Sequence, residues 1–179
     1  VVLTPKPDGS WRFCVDYSRL GKVTARDSYP MPKIESILNS TVGADWFSAH
    51  DLKSGYWQVG MATNDGSDLK TAFCTADGQF CWKVMPFGLR NSGATMMRMV
   101  DDSLRGLLWK SAAAYIDDCL VYTAGGFQDH LKDLRSFCSR GRRAGLAPEP
   151  RKGPLGRHEG DAMGRTTRPD RPRADPVTG

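Results

Sequence analysis

AAAYIDDCLVY, residues 112–122, is the stretch on which the reading of this chain turns. It is short, apolar and rich in strand formers, yet two carboxylates stand in its middle. Along one straight strand Asp117 and Asp118 would point to opposite faces, and burying either without compensation is costly. A hairpin bend removes the difficulty, because a bent backbone presents both side chains at one edge. A third carboxylate, Asp51, ends another β-like segment 66 positions earlier. Three such oxygen donors brought together repel one another and raise their own pKa values, so they are normally tolerated where a divalent cation neutralises them. Hard oxygen ligands with open positions suit Mg²⁺, and a pair of such ions roughly 3.5–4 Å apart is the usual arrangement for nucleotidyl transfer. On spacing alone, an exposed Asp-Asp turn with Asp51 as a cap is the plainer alternative.

Outward from this stretch the chain alternates strand and helix signals. VVLTPKPDGSWRFCVDY (1–17) predicts a β-hairpin, with turn chemistry at Pro7-Asp8-Gly9-Ser10 and Trp11, Phe13 and Val15 on one face. Pro30-Met31-Pro32 starts a helix carrying Ile34, Ile37 and Leu38 at i, i+3, i+4, with Gly43 as its stop. From Trp46 a strand runs towards Asp51 and gives way to a turn or helical break near Ser54-Gly55. Residues 71–85 predict a second hairpin with Asp77-Gly78 at its tip. A helix is expected from Ser92 to Leu108, with Met96, Val100, Leu104, Leu107 and Leu108 on one stripe. Another should span 128–138, marked by Leu131, Leu134, Phe137 and Cys138.

Composition narrows the options. The 179 residues hold 25 Lys+Arg against 20 Asp+Glu, net +5, with a pI of about 9.0. Residues 1–138 carry 15 of each sign, so the whole excess sits in 139–179, with 10 basic and 5 acidic side chains. That tail has no aromatic residue and 6 of the 11 prolines, and so little apolar surface predicts disorder for it as an isolated chain. About 140 foldable residues fit one domain. No run of about 20 apolar residues and no signal-like opening is present, which predicts an intracellular chain without membrane contact. Five cysteines without CxxC spacing suit small core residues better than disulfides or zinc. The histidines lack zinc spacing, and Gly125-Gly126 belongs to no phosphate-binding motif.

Tyr115-Ile116-Asp117-Asp118 resembles the Tyr-x-Asp-Asp box of reverse transcriptases. Four letters are weak evidence, but four longer strings stand in order with them: DGSWRFCVDY (8–17), SYPMPKIESIL (28–38), FSAHDLKSGYWQV (47–59) and KTAFCTADGQFCWKVMPFGLRNSGAT (70–95). Together they resemble the polymerase domain of Gypsy/Ty3-class LTR retrotransposons, over residues 1 to about 152. The resemblance implies an α+β fold: a palm of antiparallel sheet with packed helices, plus fingers, and no thumb. It divides the chain into fingers at 1–45, palm at 46–152 and a tail outside the family pattern at 153–179.

By the same resemblance Asp51, Asp117 and Asp118 are the catalytic carboxylates and hold two Mg²⁺ ions, for which Mn²⁺ can substitute. The implied partners are an RNA template, a DNA primer or duplex, a dNTP and the rest of a retroelement polyprotein. Tyr56 would pack under the incoming sugar and exclude a 2′-hydroxyl. Lys6 and Arg12 would clamp the triphosphate. Phe87, Gly88 and Ile116 would border the nucleotide, and Arg90 and Asn91 would stand on the template side. A second reading, a remnant that binds metal or nucleic acid without processive synthesis, follows from the departures. Ser18, Gly21, Gly93 and Met97 replace the usual Arg, Asn, Pro and Gln, and His50 precedes Asp51 where an apolar residue is common. A buried His50 must stay neutral or pair with a carboxylate. Gly153 takes the place of a usual Cys, and the Leu-Gly-His-like string of the strand pair that grips the primer is expected to be missing.

Overall fold

A computed structural model describes residues 1–6, 9–52, 54–148, 155–158, 160–162, 165–168 and 171–172. Among them no helix is long and apolar enough to cross a membrane. The chain divides into two compact units, one of residues 1–28 and 56–96, the other of 29–55 and 97–179.

In the first unit β1 (Val2–Pro5) and β2 (Trp11–Cys14) form the expected hairpin, with Thr4 opposite Arg12. Gly9 N–H donates to the Lys6 carbonyl at the turn; Pro7 and Asp8 lie outside the described residues. A short helix, α1 (Ser18–Val23), follows. β4 (Phe73–Thr75) and β5 (Gly78–Phe80) make the second hairpin. Thr75 stands opposite Gly78, so Ala76 and Asp77 occupy the tip and Gly78 already belongs to the strand. The expected Asp77-Gly78 tip is therefore one residue out of place. Phe13 joins the two hairpins by packing 5.3 Å from Phe73 and 6.0 Å from Trp82, ring centre to ring centre. Trp11, at the turn end of the same strand, stays 64% exposed.

The second unit is built on a three-stranded antiparallel sheet in the order β3 (Trp46–Asp51), β7 (Asp118–Thr123), β6 (Ala112–Tyr115). Phe47 faces Tyr122 and Ala113 faces Leu120 across the ladders. With Ile37 of α2 (Ile34–Ser40) and Ala44 they form a buried apolar cluster on one side of the sheet. This contact explains why 29–45 falls with the sheet, while Phe73 and Trp82 draw 56–96 to the first hairpin. The contacts thus divide the chain elsewhere than at residues 45 and 152.

α3 (Ser92–Ser103) buries Met96, Val100 and, just past its end, Leu104. It stops before the expected Leu108, because the chain turns at Gly106, whose φ of +84° favours glycine. α4 (Phe127–Arg143) is longer than expected at both ends and packs on β3 and β7. It buries His130, Phe137 and Gly141, a stripe that excludes Cys138, which is exposed. Cys74 and Cys81 are exposed too, and Cys119 alone is a fully buried core cysteine.

Some of the described tail residues are paired. Phe47 and Arg157 exchange both backbone hydrogen bonds, at 2.8 and 3.0 Å. Leu155-Gly156-Arg157-His158 is itself a Leu-Gly-x-His string, so the string expected to be missing sits on the free edge of β3. Beyond it β8 (Gly160–Ala162), β9 (Arg165–Arg168) and β10 (Arg171–Pro172) form a small antiparallel sheet. Among the described residues of the tail these contacts are backbone pairings. The family echo through Lys152 and the Gly153 substitution fall partly on 149–154, outside the described residues.

Candidate active site

The β6–β7 turn consists of two residues, Ile116 and Asp117. Ile116 has φ +57°, a conformation that a β-branched residue adopts only under strain. Its N–H donates to the Met97 sulfur at 2.9 Å, a weak acceptor held in a fully buried side chain. Met97, which stands in place of the family's Gln, is thus a support for the turn. Sequence reasoning missed this because a methionine on an apolar stripe reads as core.

The turn sets the carboxylates. Asp118 is the first residue of β7 and stands directly opposite Asp51, the last of β3. Leu52 N–H donates to the Asp117 carbonyl at 3.0 Å, closing the same end of the sheet. The second unit therefore brings Asp51, Asp117, Asp118 and Ile116 together. Burial, helped by the charge of Asp51, raises the Asp117 pKa, and Asp117 Oδ1 is buried without a hydrogen-bond partner. Asp118 is pushed up to about 6, first by burial, then by its hydrogen bond with the Asp51 carboxyl and by the charges of Asp51 and Asp117. A proton shared between two facing carboxyls is what such a pair holds when no cation neutralises it.

The fit to a hard divalent cation rests on this chemistry. The donors are all carboxylate oxygens, one buried oxygen has no partner, and the pair is strained towards neutrality. No group of three His, Cys, Asp or Glu side chains among the described residues is already drawn in around one point. Asp51, Asp117 and Asp118 are the side chains that would hold such a cation, and it would supply the positive charge their carboxylates lack.

Behind the carboxylates His50 is buried and lies stacked on Phe137, centroids 5.2 Å apart. Burial, then the nearby His130, lowers its pKa, and its Nε2 has no partner. Of the two alternatives for a buried His50, the lowered pKa favours the neutral ring. Cys119, paired with His50, is pushed up to about 12 by burial and then by the three carboxylates. At neutral pH it is an inert thiol.

In the first unit Arg12, Tyr56 and Phe87 come together. The guanidinium of Arg12 lies 5.6 Å from the Phe87 ring centre, and Tyr56 meets the same ring edge-on at 5.5 Å. Gly88 follows, against Val15 and Tyr17. Lys6 stays at the hairpin turn, where its backbone N–H bonds the Ser10 carbonyl. Arg90 and Asn91 are occupied within the unit. Arg90 donates to the carbonyls of Gly21 and Thr24, and Asn91 donates to Ala25 and accepts from Asp27 N–H. Gly21, a departure from the usual Asn, supplies one of those carbonyls.

Residues 4–165 match the family model described as "Reverse transcriptase (RNA-dependent DNA polymerase)". Over 128 residues the chain is 40% identical to an "RNA-directed DNA polymerase homolog" of Oenothera berteroana, covering 70% of this chain and 89% of that protein. Over 133 residues it is 41% identical to the "Retrovirus-related Pol polyprotein from transposon opus" of Drosophila melanogaster, covering 73% of this chain but only 13% of the polyprotein. A solved structure of the foamy viral protease-reverse transcriptase in complex with double-stranded DNA superposes with a TM-score of 0.84. It is 28% identical, and the match covers 93% of this chain and 29% of that one.

Proposed function

Because the chain belongs to the reverse transcriptase (RNA-dependent DNA polymerase) family, we propose that it carries out RNA-directed DNA synthesis as part of a retrotransposon polyprotein of the Gypsy/Ty3 class. The observation that supports this best is the meeting of Asp51, Asp117 and Asp118 at one end of the β3–β7–β6 sheet. Similarity to the Pol polyprotein of transposon opus supports the retrotransposon setting.

In this reading Asp51, Asp117 and Asp118 hold Mg²⁺, which when bound activates the primer 3′-hydroxyl and offsets charge on the departing pyrophosphate. The protein's share is positioning. The Ile116-Asp117 turn, braced by Met97, fixes where Asp117 and Asp118 stand. Neutral His50 and the unionised Cys119 keep positive charge and a rival thiolate away from them. Arg12 and Lys6 hold the triphosphate, Arg12 through its fork of donors. Tyr56, with Phe87 and Gly88, lies under the sugar, and Ile116 borders the base. Arg90 and Asn91 serve the template side by fixing the 21–27 segment. The partners are an RNA template, a primer duplex and a dNTP.

The test is primer extension on poly(rA)/oligo(dT) with Mg²⁺, run beside Asp117→Asn. Incorporation by the native chain and background signal from the variant are expected. Equal incorporation by both sinks the carboxylate assignment, and no incorporation with retained Mg²⁺-dependent duplex binding moves the reading to a non-processive remnant. A finer expectation concerns the sugar. Tyr56→Val removes the aromatic edge on Phe87, and ribonucleotide incorporation relative to deoxynucleotide should rise roughly 10- to 100-fold, the usual span for one steric contact. An unchanged ratio under single-nucleotide competition removes Tyr56 from the sugar pocket.

A further inference from the structure

On the side of the sheet away from the apolar cluster, one buried chain of hydrogen bonds links four separate pieces of the second unit. Gly156 N–H donates to Ser48 Oγ at 2.9 Å. Ser48 Oγ lies 2.8 Å from His130 Nε2, and His130 Nδ1 lies 2.9 Å from Thr123 Oγ1. Thr123 Oγ1 donates to Asp133 Oδ2 at 2.6 Å. Ser48, His130 and Thr123 are all buried, the first two completely.

The hydrogens in this chain have one consistent arrangement. The single hydrogen of Thr123 goes to the Asp133 carboxylate, so Thr123 can only accept from His130, which puts the ring proton on Nδ1. Nε2 is then bare and accepts from Ser48 O–H, which leaves the Ser48 lone pairs for Gly156 N–H. Burial, opposed by Asp133, lowers the His130 pKa and agrees with a neutral ring. Each hydrogen is used once, and removing a link strands a buried polar partner.

The chain joins the middle of β3 to β7, to α4 and to the Leu155–His158 segment. Ser48 stands three residues before Asp51, roughly 10 Å along the strand. Gly156 has φ +58°, and a Cβ there would meet the Phe127 ring at 2.9 Å, so the position favours glycine.

Resting on the polymerase reading above, we propose that His130 is a positioning residue for Asp51, acting through a one-way relay Gly156→Ser48→His130→Thr123→Asp133 that fixes β3 against α4. It touches no substrate. Its effect belongs in the turnover number, because the displacement of a carboxylate by a fraction of an ångström alters the reacting geometry more than binding.

The full chain is used for the test. In native protein, nitrogen-15 spectra at neutral pH should give His130 as a neutral ring protonated on Nδ1. Ser48→Ala should speed Gly156 amide exchange about tenfold, the worth of one hydrogen bond. In primer extension Ser48→Ala and Thr123→Val should lower kcat about tenfold or more with the KM for dNTP within about twofold. Thr123→Ser, which keeps the hydroxyl, should retain native kcat. A charged or Nε2-protonated ring, unchanged Gly156 exchange, native kcat in both disrupting variants, or equal loss in Thr123→Ser and Thr123→Val each overturns the relay. Should the native chain extend no primer, the polymerase reading fails, while the ring tautomer and Gly156 exchange still decide whether the relay exists.

Discussion

Asp118→Asn is expected to lower primer extension by about 10³-fold while leaving the chain folded and more stable at neutral pH. The loss follows from removing one of three carboxylates whose job is electrostatic, where a single well-placed group is worth about 10²–10³ in rate. The gain follows from the same charge. Asp118 faces Asp51 across the β3–β7 ladder and its pKa is pushed up to about 6 by burial and by its two neighbours. A carboxyl raised in the folded state favours folding when protonated. Its contribution is complete below the ordinary aspartate range, near pH 4, and is lost as pH rises through about 6.

Native stability should therefore fall between pH 4 and pH 6 and stay level above, while Asp118→Asn shows a smaller fall, the one that the raised carboxyl of Asp117 leaves behind. Because Asp118 is half-exposed, solvent screening reduces the difference to about 1 kcal/mol at pH 7. Urea unfolding across this range reads it directly. Added Mg²⁺ should raise the native midpoint by linkage and leave the variant nearly unmoved. A variant less stable than native at pH 7 would mean that Asp118 is held ionised by a contact other than Asp51, and the carboxylates would not be waiting for a cation.

How far the sequence reached depends on the kind of signal. Elements with a local signature were legible: the two hairpins, the start of α2, the strand ending at Asp51 and the Asp-Asp bend. The bend was read from cost, since two carboxylates in an apolar strand had to leave it. What sequence could not supply were groups whose meaning lies in a distant partner. Met97 reads as core until Ile116 N–H lies against its sulfur. Ser48, Thr123 and His130 read as unremarkable polar residues, and the one clue was that His130, Leu134, Phe137 and Gly141 share a helical stripe. The Arg157 bridge was hidden for a related reason. Low apolar content argues against an independent core, but Arg157 needs none when Phe47 offers an unpaired strand edge. Proline and charge counts are blind to such an edge.

Phe47→Ala should destabilise the second unit by about 3–5 kcal/mol, the range for emptying a fully buried aromatic site. Phe47 is completely buried at the centre of the cluster formed by Ile37, Ala44, Ala113, Leu120 and Tyr122. Ala113 and Ala44 are too small to collapse into the space, so the cavity persists. Its neighbour provides the contrast. Trp46 is larger but sits at the sheet margin, half-buried, leaning on Phe127 at 5.0 Å and on the His158 ring at 4.0 Å. Trp46→Ala should cost only about 1–2 kcal/mol, since water already reaches part of that surface. Because whole domains are stable by about 5–15 kcal/mol, the first change takes a large share of the total and the second does not. Phe47→Ala should also loosen the Phe47–Arg157 bridge, because the backbone that exchanges those two bonds is anchored by the ring on the other side of the sheet. Thermal unfolding, with amide exchange at Arg157, measures both effects. A larger loss in Trp46→Ala than in Phe47→Ala would place the weight of the fold on the aromatic rim, not on the cluster beneath β3 and β7.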